Sequence, residues 1–407
     1  MADAAEVLDM TDVVLGIDFG TSCTSAGALV GDRVELVRDN TDPVIPTVIY
    51  VPDRGEPEIG RRALLQVAST PTKVVRSVKR VLGLHPSDEL VRRYITGTSV
   101  RIDAVGDRLA FKLGGREWAA EQLAAAVLVR VRDLAESRFG GRISRCVITM
   151  SAGVGAAYRD AIVRAARIAR LEVLELVAEP IAGALAVGMH ADSVARRLLV
   201  LDFGGGTFDA SAIVQQGMRF SPLAACGDPL LGGDDFDDAL AEGVAGAVYR
   251  THKIDLHRDL VKWSELRLRC EAAKRALSAR HDVRLAMPDA FVVKGRPQPI
   301  DCTVDRKWAE ERWAPLFERA QLIIEEALRR AGWTADLVDR VALIGGTSLV
   351  PRFQQLVGAQ FGAERVVVSP DADLAVAMGA ALLTARHGAT PRHVPVLDAT
   401  SARAPAP

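Results

Sequence analysis

Two short stretches of the sequence combine an acidic side chain with glycines and hydroxyls in the way a phosphate site requires. In the first, Asp18 closes an apolar run and Gly20, Thr21 and Ser22 follow. In the second, Asp202 closes a similar run and Gly204, Gly205, Gly206 and Thr207 follow. Glycine lets a backbone approach a phosphate closely, successive N–H groups form an anion-binding nest, and hydroxyls add donors. Two such turns facing each other would clamp a polyphosphate from both sides. Asp18 and Asp202 themselves repel a polyanion, so a cation must stand between. Mg²⁺ suits, because it is held by few carboxylates and keeps several waters. Either turn alone is equally an ordinary tight hairpin. Two copies beside a third glycine turn at Gly345, Gly346 and Thr347 favour the phosphate reading.

The elements that would position these turns form a repeat. Leu15 to Val30 reads LGIDFGTSCTSAGALV and Leu199 to Val214 reads LVLDFGGGTFDASAIV. Each is an apolar run, a small-residue turn and a second apolar run, the pattern of a β-hairpin. A weaker echo pairs EPIAGALAVG (Glu179 to Gly188) with DLAVAMGAAL (Asp373 to Leu382), both helical and rich in Ala and Gly. Small residues four apart let two helices cross with their backbones close. The pattern predicts two related α/β lobes, about 12–196 and 197–387, with the last helix returning to the first lobe. Segments at about 48–117 and 234–313 read as inserted subdomains, the second with a short β region near 282–304. Helical periodicity marks Glu121 to Phe139 and Ala156 to Leu171, on either side of a strand at Arg145 to Ala152. Val341 to Val357 reads as strand, glycine turn and helix. Trp263, Trp308, Trp313 and Trp333 fall in helical regions and read as core. His190 and the other histidines show no metal or catalytic spacing. Residues 1–11 and 388–407 read as disordered ends.

Composition narrows the class. Hydrophobic residues make up 49% and charged residues 25%, with a formal net charge of -1, so no global field points to nucleic acid or an anionic membrane. The start, MADAAEVLDM, lacks the basic and apolar regions of a signal peptide, and no apolar stretch reaches membrane-spanning length. Five scattered cysteines without a CxxC pair fit neither a disulfide framework nor a zinc site, which points to a reducing, cytoplasmic setting.

GIDFGTS, LDFGGGTFD, EPIAGALAVG and ALIGGTSLVP resemble, in order and spacing, the two phosphate motifs, the connecting motif and the adenosine motif of DnaK-type heat-shock-70 chaperones. SVKRVLG (Ser77 to Gly83), LLGGDDFD (Leu230 to Asp237) and RLRCEAAKRALS (Arg267 to Ser278) extend the likeness over Val13 to Arg386. The resemblance implies a two-lobed, actin-like ATPase (ribonuclease-H-like) α/β fold with ATP or ADP and Mg²⁺ in a cleft between the lobes. By the same resemblance, Asp18, Asp202 and Asp209 organise the magnesium and its waters, with Glu179 farther out. Lys79 reaches the transferred phosphate and positions the attacking water, and Thr207 bonds near the γ-phosphate. Such roles suit phosphoryl transfer, where positioning and charge neutralisation dominate. Glu271, Lys274, Arg275 and Ser278 share one helix face. By spacing alone they are a solvated stripe, and by resemblance they are the wall against adenine and ribose.

Four departures stand out. Cys23 replaces a tyrosine after the first glycine turn. Met150-Ser151-Ala152 replaces Val-Pro-Ala, whose proline acts with an arginine, matched by Arg159, in the relay to a peptide-binding domain. Leu349 replaces an arginine of the adenosine motif, and no peptide-binding domain follows within these 407 residues. The expectation is a monomeric, slow, Mg-dependent ATPase whose lobes close on nucleotide and whose reader is another protein, a co-chaperone or client. The alternative is a nucleotide-binding pseudo-ATPase acting as an interaction scaffold. A sugar kinase or filament-forming actin relative fits less well, because the segment at Arg267 to Ser278 resembles the chaperones specifically.

Overall fold

The structure, a computed structural model, describes residues 13–188, 196–217, 219–369 and 371–388. The expected disordered ends (but for Gly388) and His190 lie outside them. The apolar run before each Asp-Phe-Gly is a strand with neighbours on both sides, which is why it carries almost no polar residues. Val14–Phe19 pairs antiparallel with Cys23–Val30 and parallel with Arg145–Met150. Arg33–Leu36 extends that sheet beyond the hairpin, and Glu172–Ala178 extends it on the parallel side. Arg196–Phe203 repeats the arrangement, antiparallel with Phe208–Gln216 and parallel with Arg340–Ile344. Arg219–Asp228 and Val366–Val368 complete that sheet. Each sheet therefore orders its hairpin third, second, first, and adds two later strands parallel beyond the first. The sequence repeat is a repeat of topology, and the α/β architecture is the two-lobed actin-like ATPase fold.

Each sheet has its own core. Helices Ala120–Phe139 and Ala156–Ile168 bury Leu123, Leu128, Val131 and Ile162 against Leu15, Ile17 and Ile148. In the second half, Phe203 gathers Phe208, Phe236 and Phe353 at ring-centroid distances of 4.6, 5.5 and 5.0 Å. Helices Glu179–Ala186 and Ala375–Leu383 lie between the sheets, and a third apolar cluster joins Val14 and Val147 of one sheet to Leu198, Val200 and Ile344 of the other. The crossing works only because its residues are small. A Cβ on Gly379 would sit 1.8 Å from the carbonyl oxygen of Ala182, and one on Gly16 would sit 2.1 Å from the backbone nitrogen of Ala381.

Some expectations shift in detail. The helix expected through Leu171 stops at Ile168, where Arg170 takes a positive φ of 59° and the chain enters strand Glu172–Ala178. The boundary expected at 313 falls inside one helix, Arg306–Ala331, which packs on the second sheet. The short β region is a long hairpin, Asp282–Val293 with Arg296–Asp305. Trp313 is buried in that helix, whereas Trp333 lies just past its end, also buried, rather than in a helix.

Gly379→Val should lower unfolding free energy by about 3 kcal/mol or more, because backbone rather than a side chain must give way. Gly97→Val, at the exposed end of a helix with nothing within 4 Å of the new Cβ, is the matched control and should change stability by less than about 1 kcal/mol. Denaturant melts that coincide for the two variants would refute the close crossing.

Candidate functional site

The two glycine turns meet face to face. A Cβ on Gly205 would fall 2.4 Å from Ser22 Oγ, and one on Gly206 would fall 2.3 Å from Thr21 Cγ2. Between and behind them lies a cavity of about 350 Å³. It is lined by Asp18, Gly20, Thr21, Ser22, Cys23, Lys79, Glu179, Asp202, Gly204, Gly205, Gly206 and Thr207. Glu271, Lys274, Arg275, Ser278, Gly345, Gly346, Thr347 and Leu349 complete the side toward the second lobe. Of the catalytic and nucleotide-binding residues expected from sequence, only Asp209 is absent from the lining. It sits opposite Asp202 in the hairpin ladder.

The second turn is held from outside its own hairpin. Gly204 O accepts the backbone N–H of Gly233 at 3.0 Å and the hydroxyl of Thr347 at 2.8 Å, and Gly205 O accepts the N–H of Asp234 at 2.7 Å. Gly345 takes φ 79° to turn the strand Arg340–Ile344 into this corner. On the helix Leu260–Ala279, Lys274 donates to Gly233 O at 2.7 Å and to Asp237 at 2.9 Å, so this residue of the expected wall is pinned inward. Arg275 donates to Glu271 at 3.0 Å.

Sequence reasoning gave no role to Asp234, Asp237 or Asp373, all of which line the cavity. Asp234 accepts from Ser22 and Ser77, each at 3.4 Å, and lies 3.7 Å from Arg80, whose guanidinium also donates to Gly206 O at 2.8 Å. These contacts tie the first half of the chain to the second across the cavity mouth. The LLGGDDFD motif was the available signal, but its partners lie far away in sequence.

Charge in the depth of the cavity is unbalanced. Lys79 pairs with Glu179 at 2.7 Å, both side chains 8% exposed. Burial works against the Lys79 charge, but Glu179, then Tyr158 and Asp18, hold it above the usual lysine value. Asp18 is pushed up to about 7 by burial and then by Glu179, against Lys79 and a 3.2 Å hydrogen bond from Thr149. Asp209 also rises to about 7, from burial and then Glu179. Burial, then Glu179, Asp209 and Asp18, lift Asp202 well above the carboxylate range. One ammonium thus faces four carboxylates. Among the described residues, no three acidic, His or Cys groups converge closely enough to ligate a metal directly. The donors present are carboxylate oxygens, the kind that hard divalent cations take.

Fold and cavity together define an actin-like ATPase architecture with its site between the lobes, and the comparisons narrow it. The profile of the Hsp70 protein family matches residues 14–402. The chain is 33% identical over 376 residues to "Heat shock 70 kDa protein BIP3" of Oryza sativa subsp. japonica, covering 91% of this chain and 56% of the relative. It is 32% identical over 391 residues to "Chaperone protein DnaK 3" of Synechococcus sp., covering 95% and 59%. It is 31% identical over 376 residues to "Stromal 70 kDa heat shock-related protein, chloroplastic" of Pisum sativum, covering 92% and 53%. The chain belongs to the Hsp70 family. It spans just over half the length of these curated relatives.

Cys23 lies in this cavity where the family resemblance places an aromatic ring. Burial pushes its thiol up to about 11, with Arg275 opposing and Glu271 adding to the rise. Because the thiolate is the reactive form, alkylation of Cys23 at pH 7 should run about two orders of magnitude slower than that of a free thiol. It should quicken about tenfold per pH unit through pH 9 to 10. Mass mapping of modified peptides across that range reads the effect directly; rapid labelling of Cys23, which is half-buried, at neutral pH would contradict a protonated thiol.

Proposed function

We propose that the protein binds Mg-ATP between its lobes and hydrolyses it slowly, with lobe closure as the output. The observation that carries this reading is the cavity floor, where Asp18, Glu179, Asp202 and Lys79 lie behind two opposed glycine turns with Asp209 beside Asp202. A magnesium ion held there through water by Asp18 and Asp202 would neutralise the carboxylates and the triphosphate together. The chain's own groups do the rest. The turn amides and the hydroxyls of Thr21, Ser22 and Thr207 cradle phosphate oxygens, which charge-assisted bonds strengthen. Lys79 points its ammonium at the terminal phosphate and the attacking water, and Glu179 fixes that ammonium. Contributions of this kind, positioning and electrostatics, make up most of phosphoryl-transfer catalysis.

Closure follows from the same contacts. Ser22, Ser77 and Arg80 reach Asp234 and Gly206 across the mouth, so phosphate at the turns pulls on both halves at once. A second protein reads that movement, as co-chaperone or client, with the chain acting as a monomer in the cytoplasm and without a nucleic-acid partner. No described helix is long and apolar enough to cross a membrane.

Steady-state assays test the chemistry. Lys79→Ala should cut hydrolysis by about a hundredfold or more with ADP affinity changed only a few-fold, and chelation of divalent cations should abolish turnover. Equal turnover in mutant and wild type removes Lys79 from the mechanism. A wild type that binds ATP without turnover removes hydrolysis from the function and leaves a binding module.

The adenine end is tested separately. Leu349 lines the cavity where the resemblance places an arginine over the base, and Arg275 lines it nearby. A cation–π contact contributes roughly 0.5–2 kcal/mol. Leu349→Arg should therefore tighten ADP by about two- to thirtyfold in calorimetry. Unchanged or weaker binding would mean that Arg275 already covers the base.

A further inference from the structure

Glu179 is held at both ends. It opens the helix Glu179–Ala186, its side chain is 8% exposed, and its Oε1 accepts the Lys79 ammonium at 2.7 Å. Its other oxygen, Oε2, accepts the hydroxyl of Ser151 at 3.2 Å. The three residues come from three separate segments. Lys79 lies in the short turn Val78–Val81, Ser151 directly follows the strand Arg145–Met150, and Glu179 begins the helix. The Lys79 turn is itself entered through Ser77 at a positive φ of 55°, a conformation that non-glycine residues keep only when the surroundings hold it. A carboxylate tied through one oxygen can still swivel about its last torsion. A hydrogen bond to the second oxygen removes that freedom, and bonds to a charged acceptor are the strong ones. The proline of the resembling sequences has no hydroxyl at this place, so the tie belongs to this chain's serine.

We propose that Ser151 is a positioning residue. Its hydroxyl fixes Glu179 as the counter-ion of Lys79 and thereby sets where the Lys79 ammonium stands in the cavity. The inference rests on reading that cavity as the ATP site and goes further, because it assigns control of the terminal-phosphate end to a residue outside the cavity lining. Lys79 is the cavity's floor cation, so a shift in its place is felt by the third phosphate more than by the first two. Ser151 acts through Glu179 and touches no nucleotide.

The test uses the full chain and three readouts on Ser151→Ala and Ser151→Thr. These are calorimetric affinities for ADP and for a non-hydrolysable ATP analogue with Mg²⁺, the single-turnover hydrolysis rate, and the melting temperature. Ser151→Ala should change the ratio of ATP-analogue to ADP affinity by about threefold or more, with ADP itself within about twofold. Single-turnover hydrolysis should slow by about tenfold, because small misplacements of a positioning group carry penalties of that order. Ser151→Thr keeps the hydroxyl and should return both quantities to within about twofold of wild type. Should Ser151→Ala melt early, Ser151→Cys keeps the volume, loses the strong donor and carries the same comparison. An unchanged affinity ratio and rate in the alanine variant overturns the proposal. So does a threonine variant that melts like wild type but does not recover. If wild type binds both nucleotides without turnover, the hydrolysis reading falls and the affinity ratio alone decides the role of Ser151. If neither nucleotide binds, the reading of the cavity and this proposal fall together.

Discussion

Where the two lobes meet, one buried ammonium stands against four carboxylates, and the register of the strands prevents the protein from relieving this by itself. Asp202 and Asp209 face each other across one hairpin, so their separation is fixed by the ladder that makes the second lobe. Asp18 occupies the matching strand end of the first lobe, and Lys79 is already committed to Glu179. Burying uncompensated charge is costly, and an interior group responds by holding its proton. Asp18 and Asp209, both lifted to about 7, show that response. A hydrated dication removes the same tension without a proton, and a dication at two opposed glycine turns is an attractor for polyphosphate. The charge problem and the proposed function are thus one arrangement seen from two sides.

The imbalance can persist only if the lobes are held in contact around it. The apolar cluster shared by both sheets supplies that hold, together with helices whose glycines and alanines let backbone press on backbone. Packing this tight moves as a unit or not at all, because interiors are dense and resist continuous deformation. The links across the polar mouth are of another kind: hydrogen bonds of 3.4 Å from Ser22 and Ser77 to Asp234, and one of 2.8 Å from Arg80 to the carbonyl of Gly206. The glycine turn of the second lobe is bonded to the helix beginning at Gly233 and to Thr347, so a phosphate pressing on that turn presses on both.

What could be read from the sequence follows from how local each signal is. The two hairpins, the Ala/Gly helix pair and the turn at Gly345 announce themselves within about ten residues, because a turn needs glycine where the backbone turns and a close crossing needs small side chains. The site residues came with them, since most sit on those turns. Asp234 did not, because its meaning lies in reaching Ser22, 212 positions earlier. The strand Glu172–Ala178 hid behind Glu172 and Glu175 at places where a buried strand would carry apolar residues. The helix Arg306–Ala331 continues through Pro315, which locally argues for a break and is overridden by packing on the second sheet. In each miss a long-range contact outvoted a local preference.

Three residues depart from the resembling sequences around this cavity, and their positions differ in kind. Cys23 and Leu349 both line the cavity, and Cys23 lies against Arg275. Ser151 lies outside the lining and is bonded to the counter-ion of the lysine. The carboxylates, the lysine and the glycines follow the family motifs. Loss of Lys79 would leave Glu179 uncompensated in the interior, and a side chain at Gly205 or Gly206 would collide with Ser22 or Thr21 of the opposite turn. Changes at Cys23, Leu349 or Ser151 incur neither penalty. The Lys79–Glu179 pair and the two opposed turns are therefore the parts of this cavity that packing and charge constrain most.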